Sequence, residues 1–335
     1  MKCKINFLII TIVILLGLTV FSPAMWKTTP KENVITNASS PIHNDTSHIC
    51  LRNEFENIVL VVVFNFAHYS SIPDLIALYK NAFSTIMFCG PESATGKHTV
   101  EVLPIHEGYF GYICMSRAMQ KHPGYSGYLL IADDAMLNYW NLVGLKRDQL
   151  WEGPKGEFVD FPVAPHPPGV WYWWNTPVGR GACQKALDEV KTWKELNTNM
   201  KKAIDILKEN QNGEVHCING HADVFYVPRR FVDAYTNLSD VFHKHRSFLE
   251  IAVPMIFRLI DLEKNFEFIN GLYLARHPGK PVEGRAEYFW KVYNKKLAFL
   301  HPFKLNAKGF GSLNKILLRN WIIEYSDSLS KCEKN

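Results

Sequence analysis

Gly127-Tyr128-Leu129-Leu130-Ile131-Ala132-Asp133-Asp134-Ala135-Met136-Leu137-Asn138 is the stretch on which the fold turns. The apolar run at 128–131 has the length of a buried strand. It stops at two adjacent carboxylates. In open α/β sheets, ligands bind at the carboxyl ends of strands, where this pair would sit. Adjacent carboxylates repel, so a buried pair needs a cation, hydrogen-bond donors or a shared proton. A divalent metal carrying phosphate oxygens is one answer, because hard cations take oxygen ligands. The plainer answer is a helix N-cap, with Met-Leu-Asn-Tyr-Trp continuing as helix. The flanking sequence weighs on the choice.

Upstream, Ile58-Val59-Leu60-Val61-Val62-Val63-Phe64 is a near-continuous β-branched run. A strand buried on both faces of a parallel sheet reads this way. It ends in a polar and aromatic loop at residues 65–71. Pro73 suits the first turn of a helix reaching about Lys80. Residues 84–89 read as the next strand, closed by Gly90-Pro91, and residues 99–103 as a third. Residues 109–120 read as a helix with Tyr112, Met115 and Met119 on one face. This alternation predicts an α/β fold with a mostly parallel, doubly wound sheet flanked by helices. No dinucleotide-binding glycine fingerprint occurs. The nearest approach to a P-loop, Gly90 to Gly96-Lys97-His98, is one residue too long and lacks the Ser/Thr. Phosphate would have to be handled by another device, and aspartate-held metal is the natural one.

Downstream, Trp171-Tyr172-Trp173-Trp174 carries four bulky rings in succession. In an extended segment alternate side chains point oppositely, so one pair would line a surface or cleft. A platform for a sugar or base, and packing between loop and core, are both open. Residues 182–210 read as one long helix with Leu187, Val190, Trp193, Met200, Ile204 and Leu207 near helical period. Asp223 opens an apolar strand close to His216 and His221. Residues 242–257 read as a mainly apolar helix carrying His243, His245 and Glu250. An acid in such a run must be paired, protonated or functional. Glu250 is therefore a candidate general base, with pairing to Arg246 or a solvated face as the alternatives. His301 stands framed by aromatics in Phe299-Leu300-His301-Pro302-Phe303-Lys304, as a metal ligand or a structural histidine.

The 335 residues are 47% hydrophobic and 21% charged, with net charge +5 and no dense basic block, so nucleic acid is not indicated. Lys2 and Lys4 precede an apolar run that reaches spanning length if Met25 and Trp26 sit at the interface. This predicts a cytoplasmic stub at 1–4, a signal-anchor transmembrane helix at 5–26 and a luminal stem at 27–55, ahead of a domain at 56–325. Cleavage after Ala24, giving a secreted chain, is the alternative. Asn37, Asn44 and Asn237 stand in glycosylation sequons, the first two in the stem. Six of the seven cysteines follow the apolar segment and could pair in an oxidising lumen. No cysteine or histidine spacing suits structural zinc.

Stub, anchor, stem and luminal α/β domain together resemble the layout of Golgi type II glycosyltransferases. Residues 56–305 resemble the GT-A fold, with Ala132-Asp133-Asp134-Ala135 standing where the family usually has Asp-x-Asp. More narrowly, the Asp-Asp-Ala stretch and the Phe66-Ala67-His68-Tyr69 loop look similar to STELLO-like Golgi proteins. The resemblance implies Mn2+ or Mg2+ on Asp133, Asp134 and His301, carrying the diphosphate of a nucleotide-sugar donor. It implies nucleotide contacts from Asn65, Phe66, His68, Tyr69 and Asp133, and an acidic base at Glu250 or Asp223. It implies a glycan or glycoprotein acceptor, with Trp171, Trp173, Trp174 and His221 on the acceptor side. The variant motif also allows a catalytically silent GT-A-like protein that binds glycans or other Golgi enzymes. A metal-dependent hydrolase using the same aspartates is a further alternative, without the Asp-x-Asp-Gly-Thr that haloacid-dehalogenase-type phosphatases use.

Overall fold

The β-branched run at 58–63 is the centre of the architecture. The computed structural model describes residues 51–94, 96, 98–154, 171–193, 202–274, 286–306 and 310–329. The expected anchor at 5–26 and the sequons at Asn37 and Asn44 lie outside these residues. Among the described residues no helix is long and apolar enough to cross a membrane. The fold below belongs to the unit Ser47–Asn335.

After a short helix α1 (Leu51–Phe55), β1 (Ile58–Val63) leads through the loop at 64–71 into α2 (Ile72–Tyr79), with Pro73 in its first turn. β2 (Thr85–Gly90), β3 (Val100–Val102), α3 (Ile113–Lys121) and β4 (Gly127–Ala132) follow. Then come β5 (Met136–Leu137), β6 (Trp151–Glu152), α4 (Arg180–Thr192), α5 (Ala203–Asn210) and β7 (Val224–Pro228). The chain closes with α6 (Val232–Lys244), α7 (Leu249–Ile260), β8 (Glu267–Phe268), β9 (Gly271–Tyr273), α8 (Ala286–Val292), β10 (Phe299–His301), α9 (Phe310–Leu317) and α10 (Glu324–Leu329). A seven-stranded sheet runs β3-β2-β1-β4-β7-β6-β8. The β3-β2-β1-β4 half is parallel, and β7 is antiparallel to both β4 and β6. A second sheet, β5-β10-β9, packs beside it.

Both faces of the main sheet are buried, which is why β1 reads as a continuous apolar run rather than an alternating one. Val59, Val61, Val63, Tyr128, Leu130 and Phe225 enter the core shared with α3 to α7. Ile58, Leu60, Val62, Leu129, Ile131 and Val224 enter the core under α1, α2 and the small sheet. Two disulfides, Cys89–Cys114 and Cys183–Cys217, tie β2 to α3 and α4 to the segment before β7. Asn237 is exposed on α6.

Three expected helices differ. The one at 242–257 is broken: α6 stops at Lys244 and α7 starts at Leu249. Ser247 N–H donates to the Phe242 carbonyl (2.9 Å) and Arg246 N–H to the His243 carbonyl (2.8 Å), around Arg246 at φ 59°. That is the Schellman closure, with arginine where glycine would announce the stop. Arg246 lies over the Phe110 ring (5.1 Å). The helix expected over 182–210 is seen as α4 and α5, with 194–201 outside the described residues. The helix expected from Tyr109 begins at Ile113, because the chain first closes i→i+3 turns, with Ile113 N–H donating to the Phe110 carbonyl (3.1 Å) and Cys114 N–H to the Gly111 carbonyl (3.0 Å).

Deep between β6 and α7, the Arg258 guanidinium is 2% exposed. It meets Glu152 through two hydrogen bonds (2.9 and 3.0 Å) and reaches Glu263 at 3.2 Å. The pair joins β6, next to the edge strand β8, to the helix whose first turn carries Glu250.

Candidate active site

The strand order gathers the polar residues at one edge. β1 and β4 are parallel neighbours, so Asn65 and Asp133-Asp134 emerge together beyond their carboxyl ends. β7 runs the other way, with Val224 opposite Ile131, so its start lies at that same edge. Ala132 N–H donates to the Asp223 carbonyl (2.8 Å). Residues 301–304 arrive from β10, and Phe303 N–H donates to the Asp134 carbonyl (2.5 Å). A cavity of about 860 Å3 opens at this junction.

One pole of the cavity is an ion cluster. The buried Asp134 carboxylate is bound by the Lys304 ammonium and faces His301 Nε2 at 3.2 Å. His301 Nε2 also lies 3.6 Å from Asp223 Oδ1. Burial alone would raise Asp134, but the charges and hydrogen bonds of His301 and Lys304 hold it well below the usual carboxylate range. Burial opposes charge on His301, yet Asp223 and Asp134 lift its pKa to about 9. Asp133 goes the other way. Burial, and then the charge of Asp134, push it up to about 8.

The opposite wall is acidic and aromatic. Gly220 N–H donates to the Glu250 carbonyl (2.8 Å), fastening the segment that carries His221 and Asp223 to the first turn of α7. Leu249 N–H donates to the Tyr109 carbonyl and Phe248 N–H to the Val178 carbonyl, each at 2.8 Å. Burial, and then Asp223, raise the Glu250 carboxyl to about 8. His221 stacks on Tyr273 (3.8 Å, 15°), and burial lowers its pKa. Trp173 stacks on Phe248 (4.9 Å, 14°) and meets Tyr109 edge-on (4.8 Å).

Asn65, Phe66, Asp134, Trp171, Trp173, His221, Asp223, Glu250 and His301 all line this cavity. Four other candidates do not. Asp133 turns toward the Asn65 backbone. Tyr69 donates its hydroxyl to the Glu92 carbonyl (2.6 Å). His68 lines a smaller neighbouring cavity with Ser312 and Lys315. Trp174 is 2% exposed in the core, because 172–175 form a 3-10 turn rather than an extended segment.

Three elements had no sequence reading as site residues. Lys304 is one basic residue among many, although its place three after His301 was available. Tyr273 lies in a three-residue strand too short to stand out. The third is the loop at His106, Glu107 and Gly108, with φ of 46°, 55° and 87°. Consecutive left-handed residues are costly and cluster at functional sites. A Cβ on Gly108 would fall 1.9 Å from Asn65 Oδ1. Gly108→Ala is therefore expected to cost about 1–2 kcal/mol for the left-handed alanine alone, and to displace Asn65. Thermal unfolding of the variant measures the first effect, and nucleotide affinity the second.

At Asp134 the Lys304 ammonium holds one carboxylate oxygen, Oδ2, and Oδ1 is the oxygen left to face a cation. This Oδ1 is buried without a well-aligned hydrogen bond and faces an imidazole nitrogen. Among the described residues no cluster of three or more His, Cys, Asp or Glu side chains is disposed around a metal. A cation here would complete its shell with phosphate oxygens and water, as Mg2+ commonly does.

A sequence model of STELLO glycosyltransferases matches residues 25–221. The chain belongs to the STELLO glycosyltransferase family. Two Arabidopsis thaliana relatives, "Probable glycosyltransferase STELLO1" and "Probable glycosyltransferase STELLO2", are each 23% identical to it, over 257 and 255 residues. These matches cover 77% and 76% of this STELLO-family chain, which spans only 31% of the length of either relative. Among solved structures, the apo WbbM bifunctional glycosyltransferase covers 81% of the chain and 51% of its own, at 9% identity and TM-score 0.37. The galactosyltransferase LgtC, in complex with donor and acceptor sugar analogues, covers 82% and 94%, at 10% identity and TM-score 0.34. Likeness at that level carries no argument about the site. The family match ends at residue 221, so the placement of Asp223, Glu250, His301 and Lys304 rests on the structure.

Proposed function

We propose that this STELLO-family chain is a luminal glycosyltransferase of the Golgi that moves a sugar from a nucleotide-sugar donor to a glycan or glycoprotein acceptor. The observation that carries the reading is the strand-end cavity, where Asp134, His301 and Lys304 face Asp223, Glu250 and an aromatic wall. Asn65 and Phe66, beyond β1, supply the nucleotide side. Lys304 and His301 supply positive charge for the donor diphosphate, and Asp134 holds both in place. Mn2+ or Mg2+, held by Asp134 and by His301 once that ring has lost its proton, would take over this role and neutralise charge developing on the departing diphosphate. The disulfides Cys89–Cys114 and Cys183–Cys217 support a secretory compartment, since such bonds are rare in the cytosol. Anchoring by residues 5–26 would make the chain a single-pass type II protein.

Asp223 is the acceptor-side base. Burial and the charge of Asp223 keep a proton on Glu250 near neutral pH, which leaves Asp223 to accept the acceptor hydroxyl proton. The test is release of nucleoside diphosphate from a panel of UDP- and GDP-sugars by the purified chain, with glycan acceptors and Mn2+. Acceptor-dependent turnover is expected, falling 100-fold or more in Asp223→Asn, in line with general-base contributions of about 10²–10⁴. Nucleotide binding should be retained in that variant. Binding without turnover for any donor and acceptor would favour a silent binding protein instead.

A further inference from the structure

We infer that the acceptor is an electrically neutral carbohydrate, and that the cavity discriminates against acidic glycans. The inference rests on the transferase reading of this cavity and adds the acceptor's chemical class. Its first ground is the distribution of charge. Among the described residues lining the cavity, the basic side chains are Lys304, His301 and His221. Lys304 is committed to Asp134, and His301 is shared between Asp134 and Asp223, so neither is free to meet an acidic acceptor. His221 is stacked on Tyr273, and burial favours its neutral form. The remaining acidic groups on the lining are Glu107, Asp223 and Glu250, of which burial keeps Glu250 protonated near neutral pH. A uronate, sialyl or phosphoryl group brought against them would be desolvated beside like charge, with no described cation to answer it.

The second ground is the aromatic wall. Trp173 is fixed between Phe248, stacked at 4.9 Å, and Tyr109 and Tyr172, edge-on at 4.8 and 5.1 Å. A ring held on several sides lies rigid before any ligand arrives, so little freedom is lost on binding. Tyr172 is 73% exposed and Phe66 49% exposed, both on the cavity lining. Exposed rings that rim a cavity among polar groups are the kind of surface a ligand-binding groove presents. A neutral pyranose matches this pairing of surfaces. Its C–H face lies flat on an aromatic ring, and its hydroxyls donate to carboxylates on the other side. The 860 Å3 of space lies near the upper end of the roughly 300–1,000 Å3 usual for ligand sites, enough for donor and acceptor rings together.

The test is titration of the full chain, saturated with UDP or GDP, with maltotriose and N-acetyllactosamine against 3′-sialyllactose and trigalacturonate. Affinities are read by calorimetry or saturation-transfer NMR. At least one neutral probe should bind tenfold or more tightly than both acidic ones. Tyr172→Ala, a change at an exposed ring, should weaken the neutral probe fivefold or more without altering nucleotide affinity. Glu107→Gln should narrow the discrimination by improving the acidic probes alone. Equal or tighter binding of an acidic probe would overturn the inference. So would failure of every saccharide to bind while nucleotide binding persists. Failure to bind nucleotide at all would instead remove the transferase reading beneath it.

Discussion

Lys304→Ala is expected to weaken nucleoside diphosphate binding by tens- to a hundredfold while the chain stays folded. The ammonium is bound to Asp134 and sits at the donor pole of the cavity. Burial works against its charge, but Asp134 raises its pKa, so it is a fixed cation at any pH where the protein works. A hydrogen bond to a charged group contributes about 1.5–3 kcal/mol, and each 1.4 kcal/mol is about tenfold in affinity. Lys304→Arg keeps the charge but replaces a compact ammonium by a planar fork. It should recover part of the loss. The fold should tolerate both changes, because the Lys304 side chain is 46% exposed and His301 still faces Asp134. Calorimetric titration with UDP and GDP reads the effect. Unchanged affinity in Lys304→Ala would move the diphosphate elsewhere.

The second large effect concerns stability. Arg258→Met is expected to cost about 3–5 kcal/mol, because it leaves Glu152, with a side chain 3% exposed, as a buried charge without its bidentate partner. For a body of this size the melting temperature should fall on the order of 10 °C. The double change Glu152→Leu/Arg258→Met should recover most of the loss, since well-packed apolar replacements of buried ion pairs are often nearly neutral. A double variant no more stable than Arg258→Met would show that the pair holds the fold by something other than charge balance. The consequence for the site is direct. Glu152 precedes Gly153, which packs against His221 and Tyr273, and Arg258 lies in the last turn of the helix whose first turn carries Glu250.

The sheet was legible because burial on both faces leaves a continuous apolar run, as in β1 and β4, and no charge interrupts it until the ligand edge. Asp134, Asp223, Glu250 and His301 were legible one by one for the same reason, as polar groups in or beside apolar runs. Their convergence followed only from the family resemblance, because physically it depends on β7 running antiparallel to β4, which no residue in β7 announces. Lys304 was missed because lysine is ordinarily a solvated surface residue, and only the loop closing over Asp134 makes it otherwise. The break at Arg246 was hidden because the left-handed position carries arginine rather than glycine. The loop at 106–108 was hidden for a similar reason, with one glycine for three left-handed residues. The Trp171–Trp174 stretch announced a special segment, but the 3-10 turn that buries Trp174 while leaving Trp173 on the cavity is a tertiary choice.

The cavity at Asp134, His301 and Lys304 is expected to receive a nucleoside diphosphate. Thermal unfolding of the full chain with UDP or GDP, each with and without Mn2+, tests it most directly. A ligand at about a hundred times its Kd stabilises the folded state by about 2.7 kcal/mol. The expected result is a rise of several degrees with one of the two nucleotides, larger with Mn2+ and lost in Lys304→Ala. No rise with either nucleotide at millimolar concentration, with or without the cation, would contradict the account.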